Sequence, residues 1–479
     1  MNDRKGFGSN FGFLMAAVGS AVGLGNIWGF PNKMGANGGF PFLILYLALA
    51  LCCGVIIMLG ELALGRKTGH GAVGAYQSIS KRFKWLGWLG IAAAALIFSF
   101  YSALGGYCLR YVVVNFGNLI GAEFGTNGVG GADVFQGLLS QPDVSIAFAL
   151  AFMLITMLVV MSGVGGGIER VCSVGMALFF ILIICIIRSC TLPGAADGLK
   201  YMFVPGWAVA NGIIDEAPGF WRVLTAAGGQ MFFSLSLGAG VMITYGSYLD
   251  KKQDLGKSTM IIVGMDTVVA LMAGLCVIPG RFALDPNGAL GGPELLFITM
   301  QNVFDKMGPA GPVFGILFYL LVFFAAISSS ISMLEVIVAH FCDKAREKGK
   351  GDRRKLYSAI VVVICAALCA LVCADGMGSN HISPAELLGL AGAKLPGWST
   401  SWLGLFDSVA EGLLMPLGAL LMCLMISWEL KPDALRQEIL LNGENRPWVY
   451  DFFRLCVKYI TPLCMLMILY GQISDFFIV

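Results

Sequence analysis

The chain has 479 residues, 57% of them hydrophobic and 13% charged, with a formal net charge of +2. So few charges cannot cover the surface of a soluble protein of this length, and the near-neutral balance leaves no basic footprint for nucleic acid. Repeated apolar runs of bilayer length, about 20 residues each, instead make it an all-α polytopic membrane protein; a barrel would alternate over short segments.

Eleven spans are expected, at roughly 10–35, 40–65, 86–119, 146–163, 171–189, 222–249, 257–280, 311–342, 356–374, 403–428 and 450–475. The opening "MNDRKGFGSN" leads directly into the first span, which argues against a cleaved signal peptide. The first span, "GSAVGLGNIWGFP", carries Gly19, Gly23 and Gly25 ahead of Pro31. Such glycines either let helices pack closely or let the helix unwind, which lipid tolerates only where the backbone lines a protein cavity. The second span places Glu61 in "GELALGR", and a carboxylate inside a span is expensive enough to mark function. The sixth repeats the glycine pattern as "SLSLGAG", residues 234–240. Two interrupted spans at an offset of five are what inverted five-helix repeats produce, with binding expected at the midplane between them. That divides the chain into 1–190, 191–430 and a remainder, 431–479, holding a loop and the eleventh helix. The eighth span holds Ser328, Ser329, Ser330 and Ser332 in "FFAAISSSISMLE". Read alone, these hydroxyls bond to carbonyls one turn back. Beside carbonyls freed at Gly19 and Val22, they would suit a hard cation such as sodium.

With the N-terminus inside, the inner segments hold 21 Lys and Arg and the outer loops hold six. That bias predicts a cytoplasmic N-terminus and, after eleven spans, a C-terminus outside or in the periplasm. No Asn-x-Ser/Thr sequon occurs, so nothing points to a glycosylated surface protein; a bacterial cell membrane is the expected location. The fourteen cysteines follow no metal or disulfide spacing, and the three histidines are scattered. No enzyme is expected.

The stretches "AVGLGNIWGFP", "GELALGR", "GGQMFFSLSLGAGVMITYGSY" and "FFAAISSSIS" occur in the order and spans of the neurotransmitter:sodium symporter family, and the whole chain resembles its bacterial amino-acid transporter branch. The resemblance implies a LeuT-type 5+5 inverted repeat with unwound first and sixth helices, an amino-acid substrate and two sodium ions. It implies a first sodium site at Ala21, Asn26, Ser234 and Asp266, and a second at Gly19, Val22, Ala325, Ser328 and Ser329. The implied substrate pocket comprises Ser20, Ala21, Leu24, Gly25, Ile97, Tyr101, Phe233, Ser234, Ser236, Ala239, Ser329 and Met333. Tyr101 would donate to the substrate carboxylate, Phe233 would cover it, and Glu61 would brace the unwound backbone. Arg4 and Asp343 match an inner ion pair, with Tyr248 beside it. The outer pair is altered, because Gly29 replaces the usual Arg and Ser408 stands near the usual acid; Asp407 and Glu411 are close, and Gln230 is a further closing element.

The function implied is sodium-coupled symport of an α-amino acid by alternating access. A substrate-gated channel or a non-transporting sensor of the same fold is the alternative. Gly23 stands where monoamine carriers place Asp, which favours an α-amino acid. Ala239 stands where small-substrate relatives place an aromatic, which favours a large hydrophobic or aromatic side chain. Asp266, four residues before Ala270 and near Tyr46, Gln230 and Ser234, would replace chloride as the fixed negative charge. A monomer or weak homodimer is expected.

Overall fold

The computed structural model describes residues 7–126, 128–172, 179–286, 292–351, 353–389, 397–440 and 447–477. The first helix, α1 (Asn10–Ala21), starts where Ser9 accepts a hydrogen bond from Gly12 N, satisfying one of the amides that a helix start leaves unpaired. It ends at Val22, whose ψ of 104° is extended. The chain then re-enters helical geometry through a π-turn at Gly25–Gly29 and continues as α2 (Phe30–Ala36). Pro31 sits in the first turn of α2, where a missing N–H costs little. The two arms form an apolar pair bent by 42°.

Next come α3 (Phe40–Thr68), α4 (Lys81–Ile120) and α5 (Pro142–Met161), then α6 (Phe179–Cys190), which is followed after a 110° bend by a short helix at Ala195–Phe203. The sixth expected span is divided into α7 (Phe220–Leu235) and α8 (Val241–Gly246). The remaining spans are α9 (Leu255–Leu284), α10 (Gly311–Glu347), α11 (Arg354–Asp375), α12 (Trp402–Leu430) and α13 (Pro447–Ser474).

Among the described residues, eight unbroken helices are long and apolar enough to cross a bilayer, or ten spans if each bent pair is one. The expected count was eleven. The sixth span is interrupted at Ser236–Gly240, and part of the fifth lies outside the described residues. The helices sort into two groups by their contacts: α4, α5, α10 and α11 pack on one another, while α1/α2, α3, α7/α8 and α9 form the second group. α1 packs against α10 of the first group, so the first break faces the serine-rich segment of α10, and Ser236 of the second break bonds to Ser20 of α1.

Candidate substrate and sodium sites

Local chemistry produces both breaks. At the first, Gly23 N donates to Asn26 Oδ1 at 2.9 Å, and Leu24 N donates to the Tyr101 hydroxyl of α4 at 2.9 Å. Gln230 Nε2 of α7 donates to Gly25 O at 2.6 Å. Side chains thus replace the helix ladder, as a buried backbone requires. A Cβ on Gly23 would lie 2.1 Å from Ser329 Oγ and 2.6 Å from Tyr101 Oη, so no side chain fits there.

At the second break Ser236 has φ 53°, a left-handed conformation rare outside glycine. Gly238 (φ 78°) follows, and a Cβ on it would lie 2.2 Å from Met415 O. Gly238 N donates to Glu61 Oε1 at 2.7 Å, while Glu61 Oε2 is buried without a partner. Glu61 thus bonds to the backbone at the second break, and among the described residues it makes no hydrogen bond to the first.

The four expected first-sodium residues include three that touch. Asn26 Nδ2 donates to Asp266 Oδ1 at 2.7 Å, and Ser234 Oγ lies 3.0 Å from both carboxylate oxygens. Tyr46 adds a bond to Oδ2 at 3.2 Å. The carboxylate is fully buried, and its side-chain partners are all neutral. A carboxylate stays charged in such surroundings only beside a counter-charge, which a sodium ion among these oxygens would supply. Ala270 is buried on α9 one turn further along the same face.

The second-sodium residues also converge. Ser328 Oγ donates to Ala325 O at 2.9 Å and lies 3.5 Å from Val22 O, and a Cβ on Gly19 would be 3.5 Å from Ser328 Cβ. Ser329 Oγ donates to Ser20 O at 3.0 Å, and Ser236 Oγ reaches the same carbonyl at 3.3 Å. Ser20, Ala21, Leu24, Ile97, Tyr101, Phe233, Ala239 and Met333 are all buried, with the Tyr101 and Phe233 rings edge to face at 6.2 Å. Ser20 Oγ has no partner, leaving a polar group free for a ligand.

Arg4 lies outside the described residues. Asp343 accepts from Gly71 N at 3.3 Å. Tyr248 donates to Glu335 at 2.6 Å, and Glu335 forms an ion pair with Arg354 at the start of α11. On the opposite face a Cβ on Gly29 would approach Gln230 Oε1 to 2.9 Å, so the amide occupies the space of the missing Arg. Further along the same two helices, Lys33 of α2 pairs with Glu411 of α12. Lys33, Glu335 and Arg354 were not singled out from the sequence. The available signal for Lys33 was its spacing, four residues after Gly29 as Glu411 is three after Ser408.

The model of the sodium:neurotransmitter symporter family matches residues 4–126 and 133–477. An uncharacterized sodium-dependent transporter of Bacillus subtilis, YhdH, is 36% identical over 97% of both chains. The Drosophila melanogaster sodium- and chloride-dependent GABA transporter ine is 26% identical over 76% of this chain and 42% of its own length. The crystal structure of MhsT in complex with L-phenylalanine superimposes with a TM-score of 0.84 at 33% identity, over 98% of this chain and all of that one. With sodium-dependent transporters matching along its whole length, the chain is a multi-pass transporter rather than an enzyme, and it belongs to the sodium:neurotransmitter symporter family.

Proposed function

We propose that the protein moves a hydrophobic or aromatic α-amino acid into the cell, driven by sodium at two sites and without chloride. The buried Asp266 cluster carries this reading, because a carboxylate facing only neutral donors lacks the counter-charge that a bound cation would supply. Asp266, Asn26 and Ser234 hold one sodium, joined by the Ala21 carbonyl. Ser328 and Ser329 with the Gly19, Val22 and Ala325 carbonyls hold the other. Tyr101 and the amides at Gly23–Gly25 orient the substrate carboxylate, and the sodium beside it ties the two affinities through one coupling energy. The phenylalanine bound to MhsT and the small Ala239 side chain support a large substrate. Asp266 supplies the negative charge that a chloride would otherwise add.

Access alternates as the group carrying the two breaks moves against α4, α5, α10 and α11. Lys33–Glu411, Gln230 and Phe233 close one side; Asp343, with Arg4, closes the other. The division into two inverted repeats, with the N-terminus cytoplasmic and the C-terminus outside, completes the reading. Purified protein in proteoliposomes should accumulate labelled phenylalanine or tryptophan against its gradient under an inward sodium gradient, equally in chloride and gluconate. Equilibration without accumulation would mean a channel. Loss of uptake in gluconate would remove the chloride-free mechanism.

A further inference from the structure

On the lipid-facing exterior, at the end where the basic loops lie, α3, α9 and α13 leave a groove of 410 Å³. Leu51, Val55 and Leu59 form one wall, with Met260 and Phe452 opposite. Leu51, Met260 and Phe452 are 46–56% exposed, so the groove opens toward hydrocarbon. From Leu51 to Leu59 it runs roughly 12 Å at 1.5 Å per helical residue, the scale of an acyl chain.

Two polar groups interrupt this lining. Lys257 is exposed at the mouth, in the first turn of α9. Thr259, two residues deeper, is fully buried, and its hydroxyl has no hydrogen-bond partner. A threonine inside a helix normally bonds to the carbonyl one turn back, so this hydroxyl has been left for something else. Asp254, the acid at the mouth, caps α9 by accepting from Lys257 N at 3.0 Å. Lys251 and Lys252 are exposed in the loop that precedes α9, with Asp250 beside them, and do not line the groove.

We propose that this groove is a site for one anionic phospholipid, with Lys257 against the phosphate, Thr259 Oγ1 donating to a glycerol ester carbonyl, and one acyl chain along Leu51, Val55 and Leu59. The order matches a lipid's own order from surface to core: charge, ester, hydrocarbon. A choline headgroup would bring its own cation against the Lys257 ammonium. The assignment to the cytoplasmic leaflet rests on the orientation proposed above; the binding does not.

Native mass spectrometry of the full chain, titrated with phosphatidylglycerol or phosphatidylcholine of identical acyl chains, tests it without sodium or amino acid. Failure of transport would therefore leave this result standing. Phosphatidylglycerol should bind more tightly, with Lys257 contributing about five-fold. Lys257→Gln should lose that factor while keeping its phosphatidylcholine affinity and its uptake. Leu59→Trp should fill the groove and remove the tightest lipid adduct. Thr259→Val should weaken both lipids alike. Equal affinity for the two headgroups, or a preference that survives Lys257→Gln, overturns the proposal even if Leu59→Trp does not fold.

Discussion

Asp266 is a buried carboxylate whose three side-chain neighbours can only share hydrogen bonds with it. Replacing it with Asn keeps the shape and removes the charge. The sodium concentration for half-maximal uptake should rise about ten- to a hundred-fold, since bonds to charged groups contribute about 1.5–3 kcal/mol. Adding Ala270→Ser should make uptake respond to chloride; identical rates in chloride and gluconate for that double variant would count against Asp266 as the chloride substitute. Ala239 sets a second residue-scale expectation. Filling that space with Phe should move preference from Trp toward Ala in competition assays, because interiors do not leave such volume idle. Lys33 and Glu411 give a third. Their side chains are 23% and 6% exposed, so the pair is partly desolvated. Removing either partner strands the other, and Lys33→Gln or Glu411→Gln should each lower uptake. The double variant should lose less than the sum, a coupling measurable by a double-mutant cycle. Gly29→Arg should also lower uptake, since its Cβ approaches the Gln230 amide to 2.9 Å.

The broken helices carry the specificity of the fold at the scale of elements. Gly238 combines a φ of 78° with a Cβ position 2.2 Å from Met415 O. Gly238→Ala should destabilise the protein by about 2–3 kcal/mol or more through strain and backbone displacement, read as a lower melting temperature in detergent. The positions of both breaks were legible because glycine clusters in two apolar runs have few other uses. Their lengths were less so: hydropathy averages over a turn whose residues are as apolar as the helices beside it, so 222–249 reads as one apolar run although its helices are Phe220–Leu235 and Val241–Gly246. The serine cluster stood out as hydroxyls in an apolar run, yet only the contact of α10 with α1 shows Ser328 near Val22 and Ser329 on Ser20. Lys33 was overlooked because its partner lies 378 residues away, a separation that local patterning does not record.

For the whole molecule, the excess of Lys and Arg on one side predicts that a C-terminal alkaline phosphatase fusion is active and a C-terminal green fluorescent protein fusion is dark. The reverse pattern would invert the topology. A last consequence concerns isotope exchange. The amides of Gly23, Leu24 and Gly238 donate to side chains of Asn26, Tyr101 and Glu61, not to a helix carbonyl one turn back. Protection of Leu24 and Gly238 from deuterium therefore depends on tertiary contacts, and that of Gly23 on the Asn26 side chain that Asp266 holds, rather than on helix stability. Each becomes a local clock for the packing of its partner. Sodium and amino acid together should slow deuterium uptake at all three, and Tyr101→Phe should speed it at Leu24 while leaving Gly238 unchanged.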